Sequence, residues 1–413
     1  MIALIADDFT GAAEVAGLCM RLEIPVSFLV DIPDVETLAA QTSEVLVLAE
    51  NTRSFTAEGA VKVTRLLADN LKAAGIVRVI KKTDSVLRGW VLPEMQALAE
   101  AFGYKRLLIE PANPDTGRRI KDGAYYVNEV LLAETAFNHD PDFPAHSSLV
   151  KRLVESRTDG FEPIVPYEIP DAATRQDLSA LAEACADDTL AGGSAAFCAA
   201  CLEAEVRRGR LHRHLSEATE GTCPSGQPAP EEEAGATDHS QTAEGIDLHD
   251  TLIVCGSAHQ NSLDFSNRLE SEGFPVLRMP SALCREAKPS DEDYVNWITA
   301  CVEAFRSHGR LLVRIEARPS FSKSAEKLLF RMTECVYGIL KQIQPSQMLI
   351  EGGATACSVL QRLGWNSFTP EREWLPGVVQ LHLEPPVGTP AGIFPDCHIT
   401  LKPGSYAWPK FNL

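Results

Sequence analysis

Short apolar runs alternate with amphipathic stretches along most of this chain, and that alternation limits its possible folds more than any other feature. In the first half, the apolar runs that are typical of strands are residues 2–6, 26–30, 45–49, 77–81 and 106–109. Stretches typical of amphipathic helices lie between them, at 57–74 and 93–101 for example. Strands that alternate with helices build βαβ units and a parallel sheet. The sequence therefore predicts an α/β fold with a mostly parallel sheet flanked by helices.

The pattern begins again after residue 250, so two such domains are expected. Strands are predicted there at 251–255, 274–278, 311–315, 348–350, 378–383 and 398–401. Residues 216–250 contain nine carboxylates and no Lys or Arg, and they cannot bury enough apolar surface to order themselves. We expect an N-terminal domain over 1–215, an acidic flexible linker over 216–250 and a C-terminal domain over 251–413, with a ligand cleft between the domains.

Composition and charge argue against several classes of protein. The net charge of −19 argues against nucleic-acid binding and against adhesion to anionic membranes. No apolar run approaches the roughly 20 residues that span a bilayer, and charged residues arrive too early for a signal peptide. The cysteines lie mostly singly in apolar segments, which is typical of reduced thiols in a cytoplasmic protein. The sequence does not determine the oligomeric state and is compatible with a homo-oligomer.

Metal or redox chemistry is not expected from the sequence. Cys198 and Cys201 have the spacing of a redox motif, but they lie in an Ala-rich stretch typical of a helix. The sequence has no second pair of this kind and no cluster of His along the chain. We therefore expect no metal site.

The first predicted strand runs directly into two carboxylates, Asp7 and Asp8, which precede a Thr-Gly turn and a helix. In an open parallel sheet this junction is the carboxyl end of a strand, where ligands bind. One Asp is enough for an N-cap, so the second favours function. The amides of residues 10–12 begin the helix and suit an anion. We interpret the pair as a candidate catalytic base and a hydroxyl-binding group.

Polar side chains also follow the predicted strands at 77–81 and 106–109. The first set is Lys82, Asp84, Ser85 and Arg88. Arg matches a carboxylate or phosphate, Lys supplies a point charge, and Asp can take a hydroxyl proton. The second set lies in the loop at 110–119, where Arg118 suits a small anionic substrate. An ordinary surface turn closed by an Asp84–Arg88 ion pair is the structural alternative.

Glycine-bearing turns end three predicted strands of the second half. They are Gly256-Ser257, Gly352-Gly353-Ala354-Thr355 and Lys402-Pro403-Gly404. Gly allows close approach of the backbone, and a Gly-Gly turn that opens a helix offers free amides to a phosphate. The sequence contains neither a Walker A motif nor a G-x-G-x-x-G after a strand. A purely structural turn is therefore the alternative at each of these positions.

Together, these segments resemble the four-carbon acid sugar kinase family. The resemblance rests above all on residues 5–12 and 81–89, and it extends through 110–119 to the glycine turns of the second half. It implies an ATP-dependent kinase that phosphorylates a hydroxyl of a small sugar acid, such as a threonate, an erythronate or a 3-oxo-tetronate. The N-terminal domain would hold the acid and the C-terminal domain would hold ATP, usually with Mg²⁺.

Roles for individual residues follow from this resemblance and from the chemistry of the motifs. Asp8 and Asp84 are the candidate catalytic residues. The substrate-binding candidates are Asp7, Lys82, Ser85, Arg88 and Arg118. By the resemblance, the positions that contact ATP are Ser257, Gly352, Gly353, Ala354, Thr355 and Gly404.

This chain also departs from the family pattern. The family usually has an acidic residue after the Gly-Gly pair, whereas this chain has Ala354 there and Glu351 before the pair. Glu351 would repel a triphosphate unless Mg²⁺ lay between them, so we expect ATP binding to depend strongly on Mg²⁺. Two alternative functions stay open. One is a sugar-acid-binding protein whose nucleotide half has decayed, and the other is an aldolase- or hydrolase-like enzyme that uses Lys82.

Overall fold

A computed structural model of the chain describes residues 1–140, 143–214, 245–256, 260–285, 288–315, 325–385, 396–404 and 406–412. The strands are β1 (Ile2–Ala6), β2 (Val26–Val30), β3 (Val45–Ala49), β4 (Val79–Lys82), β5 (Arg106–Glu110), β6 (Arg118–Lys121), β7 (Ala124–Val127), β8 (Val130–Leu131), β9 (Tyr167–Glu168), β10 (Thr189–Gly193), β11 (Ile246–Asp247), β12 (Thr251–Cys255), β13 (Val276–Arg278), β14 (Arg310–Arg314), β15 (Gln347–Glu351), β16 (Ser367–Leu375), β17 (Val378–Leu383), β18 (His398–Lys402) and β19 (Phe411–Asn412).

The helices alternate with these strands, as the sequence predicts. They are α1 (Phe9–Arg21), α2 (Val35–Ala39), α3 (Ala57–Ala73), α4 (Val91–Phe102), α5 (Val150–Glu155), α6 (Arg175–Ala184), α7 (Ala195–Arg207), α8 (Gln260–Ser271), α9 (Ser281–Cys284), α10 (Asp291–His308), α11 (Ala325–Leu340) and α12 (Gly353–Leu363). Short 3₁₀ helices lie at Pro114–Thr116, Leu132–Glu134 and Ala136–His139. Among the described helices, none combines the length and the apolarity that a bilayer crossing demands.

One sheet of fourteen strands runs through both halves of the molecule, in the order β13-β14-β12-β15-β18-β17-β16-β2-β3-β1-β4-β10-β5-β9. The seven strands from β2 to β9 are parallel, and so are the five from β13 to β18. The antiparallel strands β16 and β17 lie between these two parallel parts. The predicted α/β fold with a mostly parallel sheet is therefore confirmed.

The join between the halves is the pairing of β16 with β2, where Ser367 lies opposite Leu29 and Phe368 opposite Phe28. The two sheets expected from the sequence are thus continuous. Strand β16 escapes prediction because Pro370 and several charged residues interrupt its apolar pattern, as expected for a strand outside the parallel core.

Burial explains why the central strands read as unbroken apolar runs. All residues of β1, β3 and β12 are buried, because a parallel sheet is covered by helices on both faces.

The eleven predicted strands lie within two residues of observed ones at each end. Strand β10 was not predicted, since its Ala-Gly-Gly end lacks the β-branched residues typical of strands. Cys198 and Cys201 lie on α7 as buried free thiols.

Most of the predicted linker, residues 216–250, falls on positions 215–244, which lie outside the described residues. Its last residues contradict the prediction of flexibility. Strand β11 pairs with β19, and Ile246 and Leu248 are buried in a small apolar cluster with Phe265. These two apolar residues find partners that the local composition does not reveal, so the ordered C-terminal half begins before residue 251.

Glu110, the last residue of β5, is a fully buried carboxyl group. Its Oε1 accepts a hydrogen bond from the Ala112 amide at 2.8 Å, and its Oε2 has no hydrogen-bond partner among the described residues. Burial raises the pKa of Glu110 to about 8, although the Ala112 amide opposes the shift. Glu110 therefore shapes the loop at 110–119 as a neutral acid rather than as a charged one.

This burial predicts a pH-dependent stability. The folded protein keeps the Glu110 proton from about pH 4.5 to about pH 8, whereas the unfolded chain has lost it. The stabilisation is present below that window and is lost as the pH rises through it, on the order of 5 kcal/mol. We expect Glu110→Gln, which mimics the neutral acid, to remove this loss in denaturant unfolding measured across the window. The exposed Glu303→Gln is the control, and parallel curves for all three proteins would contradict the assignment.

Candidate active site

A cavity of about 960 Å³ lies between the two halves, at the carboxyl ends of β1, β3 and β4. Its N-terminal wall includes Asp7, Asp8, Arg53 and Arg88, and its C-terminal wall includes Gly353, Ala354, Pro403 and Gly404. Strands that end at the same edge of a sheet bring their following loops together. Carboxylate and guanidinium side chains therefore line one side of the cavity, and glycine-bearing turns with backbone amides line the other.

The centre of the N-terminal wall is Arg53, which lies four residues after β3. Its Nε lies 3.0 Å from Asp7 Oδ2, and its Nη1 lies 3.0 Å from Asp8 Oδ2. Its Nη2 lies 3.8 Å from Asp84 Oδ1. One guanidinium thus joins carboxylates from the ends of β1 and β4, a geometry for which its planar fork is suited.

The two adjacent carboxylates differ in environment. Asp8 is the N-cap of α1 and accepts a hydrogen bond from the Gly11 amide at 2.9 Å through Oδ1, which leaves Oδ2 for Arg53. Asp7 is buried, and its Oδ1 has no hydrogen-bond partner in the described part of the chain. Burial raises the pKa of Asp7; Arg53 opposes this shift and Asp8 adds to it. Asp7 therefore lines the cavity as a residue, but its Oδ1 is a buried oxygen that the described residues leave unsatisfied.

Asp84 and Arg88 form a two-point ion pair. Arg88 donates from Nε to Asp84 Oδ2 and from Nη2 to Asp84 Oδ1, each at 2.9 Å. The amides of Val86 and Arg88 also donate to Asp84 Oδ2. Burial acts to raise the pKa of Asp84, but Arg53 and Arg88 together hold it well below its usual range. Asp84 is consequently a poor proton acceptor.

Lys82 lies behind the first turn of α1. Its ammonium donates to the Thr83 carbonyl at 3.0 Å and lies 3.4 Å from Glu14 Oε2. Burial acts to lower the pKa of Lys82, but Glu14 and Asp8 raise it above its ordinary value. A lysine that stays protonated is not a nucleophilic amine. These contacts argue against the aldolase-like alternative, in which Lys82 would form a Schiff base.

A second lysine, Lys81, holds a charge cluster beneath the cavity. Its ammonium lies 2.5 Å from Glu50 Oε2 and 2.7 Å from Glu94 Oε2, and all three side chains are buried. Thr52 donates a hydrogen bond to Glu94 Oε1 at 2.7 Å. Burial raises the pKa of Glu50 to about 7, against the attraction of Lys81. The cluster fixes the loop that carries Arg53.

The C-terminal wall is built by a helix start. Gly352 is the N-cap of α12 with φ of 97°, a conformation that favours glycine. The cap residue supplies no capping oxygen, so the first-turn amides of α12 are available to an anion. A Cβ on Gly353 would overlap the hydroxyl of Thr10 in the first turn of α1. The first turns of α1 and α12 therefore contact each other beside the cavity, where a larger residue at position 353 would displace the Thr10 hydroxyl.

Comparisons with known proteins agree with this division. Two protein-family models match the chain. One, described as a sugar-binding N-terminal domain, matches residues 2–168, and the other, described as a nucleotide-binding C-terminal domain, matches residues 252–406. The chain belongs to the four-carbon acid sugar kinase family. Together the two matched segments contain most of the chain.

Two relatives of this chain are named as kinases of different sugar acids. A 3-oxo-tetronate kinase of Salmonella typhimurium LT2 is 34% identical over 187 residues, which are 44% of each chain. A D-threonate kinase of Bordetella bronchiseptica RB50 is 32% identical over 156 residues, or 37% of this chain and 38% of that protein. These matches thus span less than half the length of either relative. A crystal structure from Salmonella typhimurium LT2 shares the fold over 98% of this chain and 96% of its own, with a TM-score of 0.71 and 20% identity.

The cavity brings together some of the residues singled out from the sequence and leaves others behind its wall. Those that line it are Asp7, Asp8, Arg88, Gly353, Ala354 and Gly404. Those that support the lining residues from outside the cavity are Lys82, Asp84, Ser85, Arg118, Gly352 and Thr355. Ser257 lies outside the described residues.

Hydrogen bonds connect several of these supporting residues to the loop after β4. Arg118 donates to the Ser85 hydroxyl at 2.8 Å, and Tyr125 donates to the Ser85 carbonyl. Arg157 donates to the carbonyls of Leu87 and Phe143. These bonds tie the loop after β4 to the loops around it. Ser85 and Arg118 therefore fix the position of Arg88, and we retain direct substrate contact by them as an untested prediction.

Sequence reasoning missed Arg53, the most connected residue of the wall. The signal was present, because residues 50–54 form a polar run directly after the predicted strand at 45–49. The rule that drew attention to the ends of β1 and β4 applies equally to the end of β3. Asn51 of the same run also lines the cavity.

The structure corrects the expectation for Glu351. Its side chain is fully buried at the end of β15 and does not line the cavity. Lys402 lies 3.2 Å from its Oε1, Trp408 donates to its Oε2 at 3.1 Å, and Ser262 also donates to it. Because Lys402 neutralises this carboxylate, Glu351 cannot make nucleotide binding depend on Mg²⁺ as predicted.

We instead expect Glu351→Gln to lower stability. Removing one partner of a buried ion pair typically costs about 3–5 kcal/mol, since the remaining charge stays buried. The exposed pair of Glu334 with Arg362 supplies the control, because Glu334→Gln removes an interaction worth at most about 1 kcal/mol. Denaturant unfolding measures both effects. An unchanged stability of Glu351→Gln would contradict the importance of the buried ion pair, and a change in the Mg²⁺ dependence of its nucleotide binding would show that Glu351 acts on the nucleotide.

Proposed function

We propose that this chain is an ATP-dependent kinase that phosphorylates a hydroxyl of a small sugar acid such as a threonate, an erythronate or a 3-oxo-tetronate. The observation that carries the proposal is the opposition of the two cavity walls, one with carboxylates and guanidiniums and one with free helix amides. The names of the relatives supply the substrate class. The free thiols of the described cysteines fit a cytoplasmic enzyme.

In this proposal the N-terminal wall holds the acid. Arg88 is about one-third exposed, and its Nη1 lies 3.7 Å from Asp140 Oδ2, which is longer than a hydrogen bond. We place the acid's carboxylate at this end of the guanidinium, in competition with Asp140. Arg53 places a second positive charge on the same wall. Charge-assisted hydrogen bonds of this kind are stronger than neutral ones. The acid's carboxylate is therefore oriented by Arg88, and its hydroxyls lie towards Asp7 and Asp8.

The C-terminal wall holds the nucleotide phosphates. The first-turn amides of Gly353 and Ala354 and the turn at Gly404 are the groups that line this side. Such amides bind phosphate without a positively charged side chain. Mg²⁺ prefers oxygen ligands and enters such sites with the substrate phosphates, and the carboxylates that line the cavity, Asp8 above all, are the oxygen ligands that would hold it. When bound, the ion neutralises charge on the phosphates during transfer.

The chain's own residues supply position and one proton acceptor. The attacking hydroxyl oxygen forms a bond to the terminal phosphorus, the bond to the leaving ADP breaks, and the hydroxyl proton passes to a carboxylate. We assign that role to Asp8, because its side chain lines the cavity, is about one-quarter exposed and contacts one guanidinium rather than the two that contact Asp84. Asp84 is then a positioning residue that fixes Arg53 and Arg88.

Two isosteric variants separate these roles. We expect Asp8→Asn to lower kcat by about 10²- to 10⁴-fold, the usual contribution of a general base, with little change in KM. Asp84→Asn frees Arg88 and is expected mainly to raise KM for the acid. Steady-state kinetics with saturating ATP measures both. The base assignment fails if Asp8→Asn keeps near-normal kcat.

Arg88→Ala tests the acid-binding wall. Losing a charge-assisted hydrogen bond costs roughly 1.5–3 kcal/mol, so we expect acid affinity to fall about ten- to a hundredfold. Affinity for ATP should stay near the wild-type value, because Arg88 lies on the opposite wall. Arg119→Ala is the matched control, since Arg119 pairs with Glu129 on the surface. Calorimetric titration of each ligand gives both affinities, and equal acid affinity in the two variants would exclude this pocket.

An ATP-consumption screen across threonate, erythronate and 3-oxo-tetronate stereoisomers tests the proposed function itself. Turnover with one of these acids is the expected result. If the protein binds an acid but binds no ATP, the alternative of a decayed sugar-acid-binding protein is correct.

A further inference from the structure

Three side chains with metal-binding atoms meet on the antiparallel part of the sheet, away from the cavity. They are Glu371 of β16, His382 of β17 and His398 of β18. His398 begins β18 and Gly404 of the cavity follows the end of the same strand. A strand rises about 3.3 Å per residue, so the four residue steps from His398 to Lys402 separate the cluster from that end by about 13 Å. The cluster is therefore distinct from the candidate active site.

Strand register explains how the two histidines meet. His382 and His398 are directly opposite in the antiparallel pair of β17 and β18. Residues opposite each other lie on the same face of a sheet, with Cβ atoms about 4.5–5.5 Å apart. Their ring centroids are 5.3 Å apart. Sixteen residues separate them in sequence, so a search for local spacing does not find them.

A β-bulge brings in the carboxylate. Pro370 lies opposite Leu381 and Arg372 lies opposite Gln380, which leaves Glu371 as an extra residue on β16. Bulges of this kind redirect a side chain. Glu371 Oε2 lies 2.7 Å from His398 Nδ1, and Glu371 Oε1 lies 3.9 Å from His382 Nδ1. Each of three adjacent strands thus contributes one donor to the same point.

The donors have room for an ion. One ligand atom from each of the three residues lies within 4.8 Å of the others. Tetrahedral zinc with bonds of about 2.0–2.2 Å places its ligand atoms about 3.3 Å apart, so small side-chain rotations suffice. Asp396 Oδ1 lies 3.8 Å from His382 Nδ1 and offers a fourth oxygen.

One atom of the cluster also lacks a partner. His382 Nδ1 is buried and makes no hydrogen bond within the described residues. A buried polar atom without a hydrogen-bond partner calls for an explanation, and a bound ion is one such explanation. A hydrogen-bonded ion pair between Glu371 and His398 alone would leave that nitrogen unsatisfied.

We propose that Glu371, His382 and His398 form a binding site for a divalent transition metal, with Zn²⁺ as the ion that the donors fit best. Imidazole nitrogens with a carboxylate oxygen are zinc ligands, whereas Mg²⁺ and Ca²⁺ prefer oxygen alone. The ion would join β16, β17 and β18. Because β16 also pairs with β2, the site would stabilise the strand that connects the two halves of the sheet.

Zinc titration of the full-length, chelator-treated protein tests the site. Mutation of a residue that only hydrogen-bonds to a metal ligand lowers metal affinity by about 10- to 100-fold. We therefore expect His382→Gln and His398→Gln, which each remove a ligand imidazole, to lower Zn²⁺ affinity by at least this factor. The matched control is His249→Gln, an exposed histidine of the same half. We expect calorimetry to give one site in wild type and control, with a Zn²⁺-induced rise in Tm that both ligand variants lose.

The cysteines require a separate readout, because thiolates also bind zinc. Co²⁺ substituted at the proposed site should give the visible absorption of a tetrahedral nitrogen and oxygen site, without the intense near-ultraviolet band of thiolate ligation. Melting in chelator shows whether each variant folds like wild type. Wild type that binds no Zn²⁺, ligand variants that bind it equally well, or a thiolate band that persists in them would each overturn the proposal. None of these results depends on the kinase assignment.

Discussion

The Arg53 guanidinium is the group on which the arrangement of the cavity depends. Asp7, Asp8 and Asp84 come from the ends of β1 and β4 and would repel one another if all were charged. Arg53 lies against all three, and its loop is itself held by the buried Lys81, Glu50 and Glu94 cluster. One cation therefore permits a concentration of carboxylates at a strand edge. Burial raises the pKa of Asp7 despite Arg53, whereas Arg53 and Arg88 together lower the pKa of Asp84.

Burial and a second arginine give different environments to three carboxylates that look identical in sequence. Asp84 meets Arg53 and Arg88, which lower its pKa, whereas Asp7 is buried and one of its oxygens has no hydrogen-bond partner in the described part of the molecule. Asp8 divides its oxygens between the start of α1 and Arg53. Opposite them, α12 begins at a glycine, and its amides face the cavity without a charged side chain. The two walls thus suit different parts of a reaction between an acid and a phosphate donor.

The sequence predicts the strands and the two acidic strand ends because these depend on local apolar runs and on the rule for parallel sheets. It does not predict the burial of Glu351 or its ion pair, since the partner Lys402 is far away in sequence. It also leads us to expect no cluster of histidines, because His382 and His398 meet only through strand register and Glu371 joins them only through a bulge. Arg53 differs from these cases, because its position after a predicted strand was readable.

The pairing of β16 with β2 also affects how the molecule avoids association with other chains. A sheet exposes unpaired amides and carbonyls along each edge strand, and such edges are templates for aggregation. Two separate sheets would have four edges, whereas the continuous sheet has two, at β13 and β9, and β9 consists of only two residues. If either half were produced alone, β2 or β16 would become a new open edge. The two halves therefore act as mutual edge protection, and neither is a self-sufficient unit in this respect.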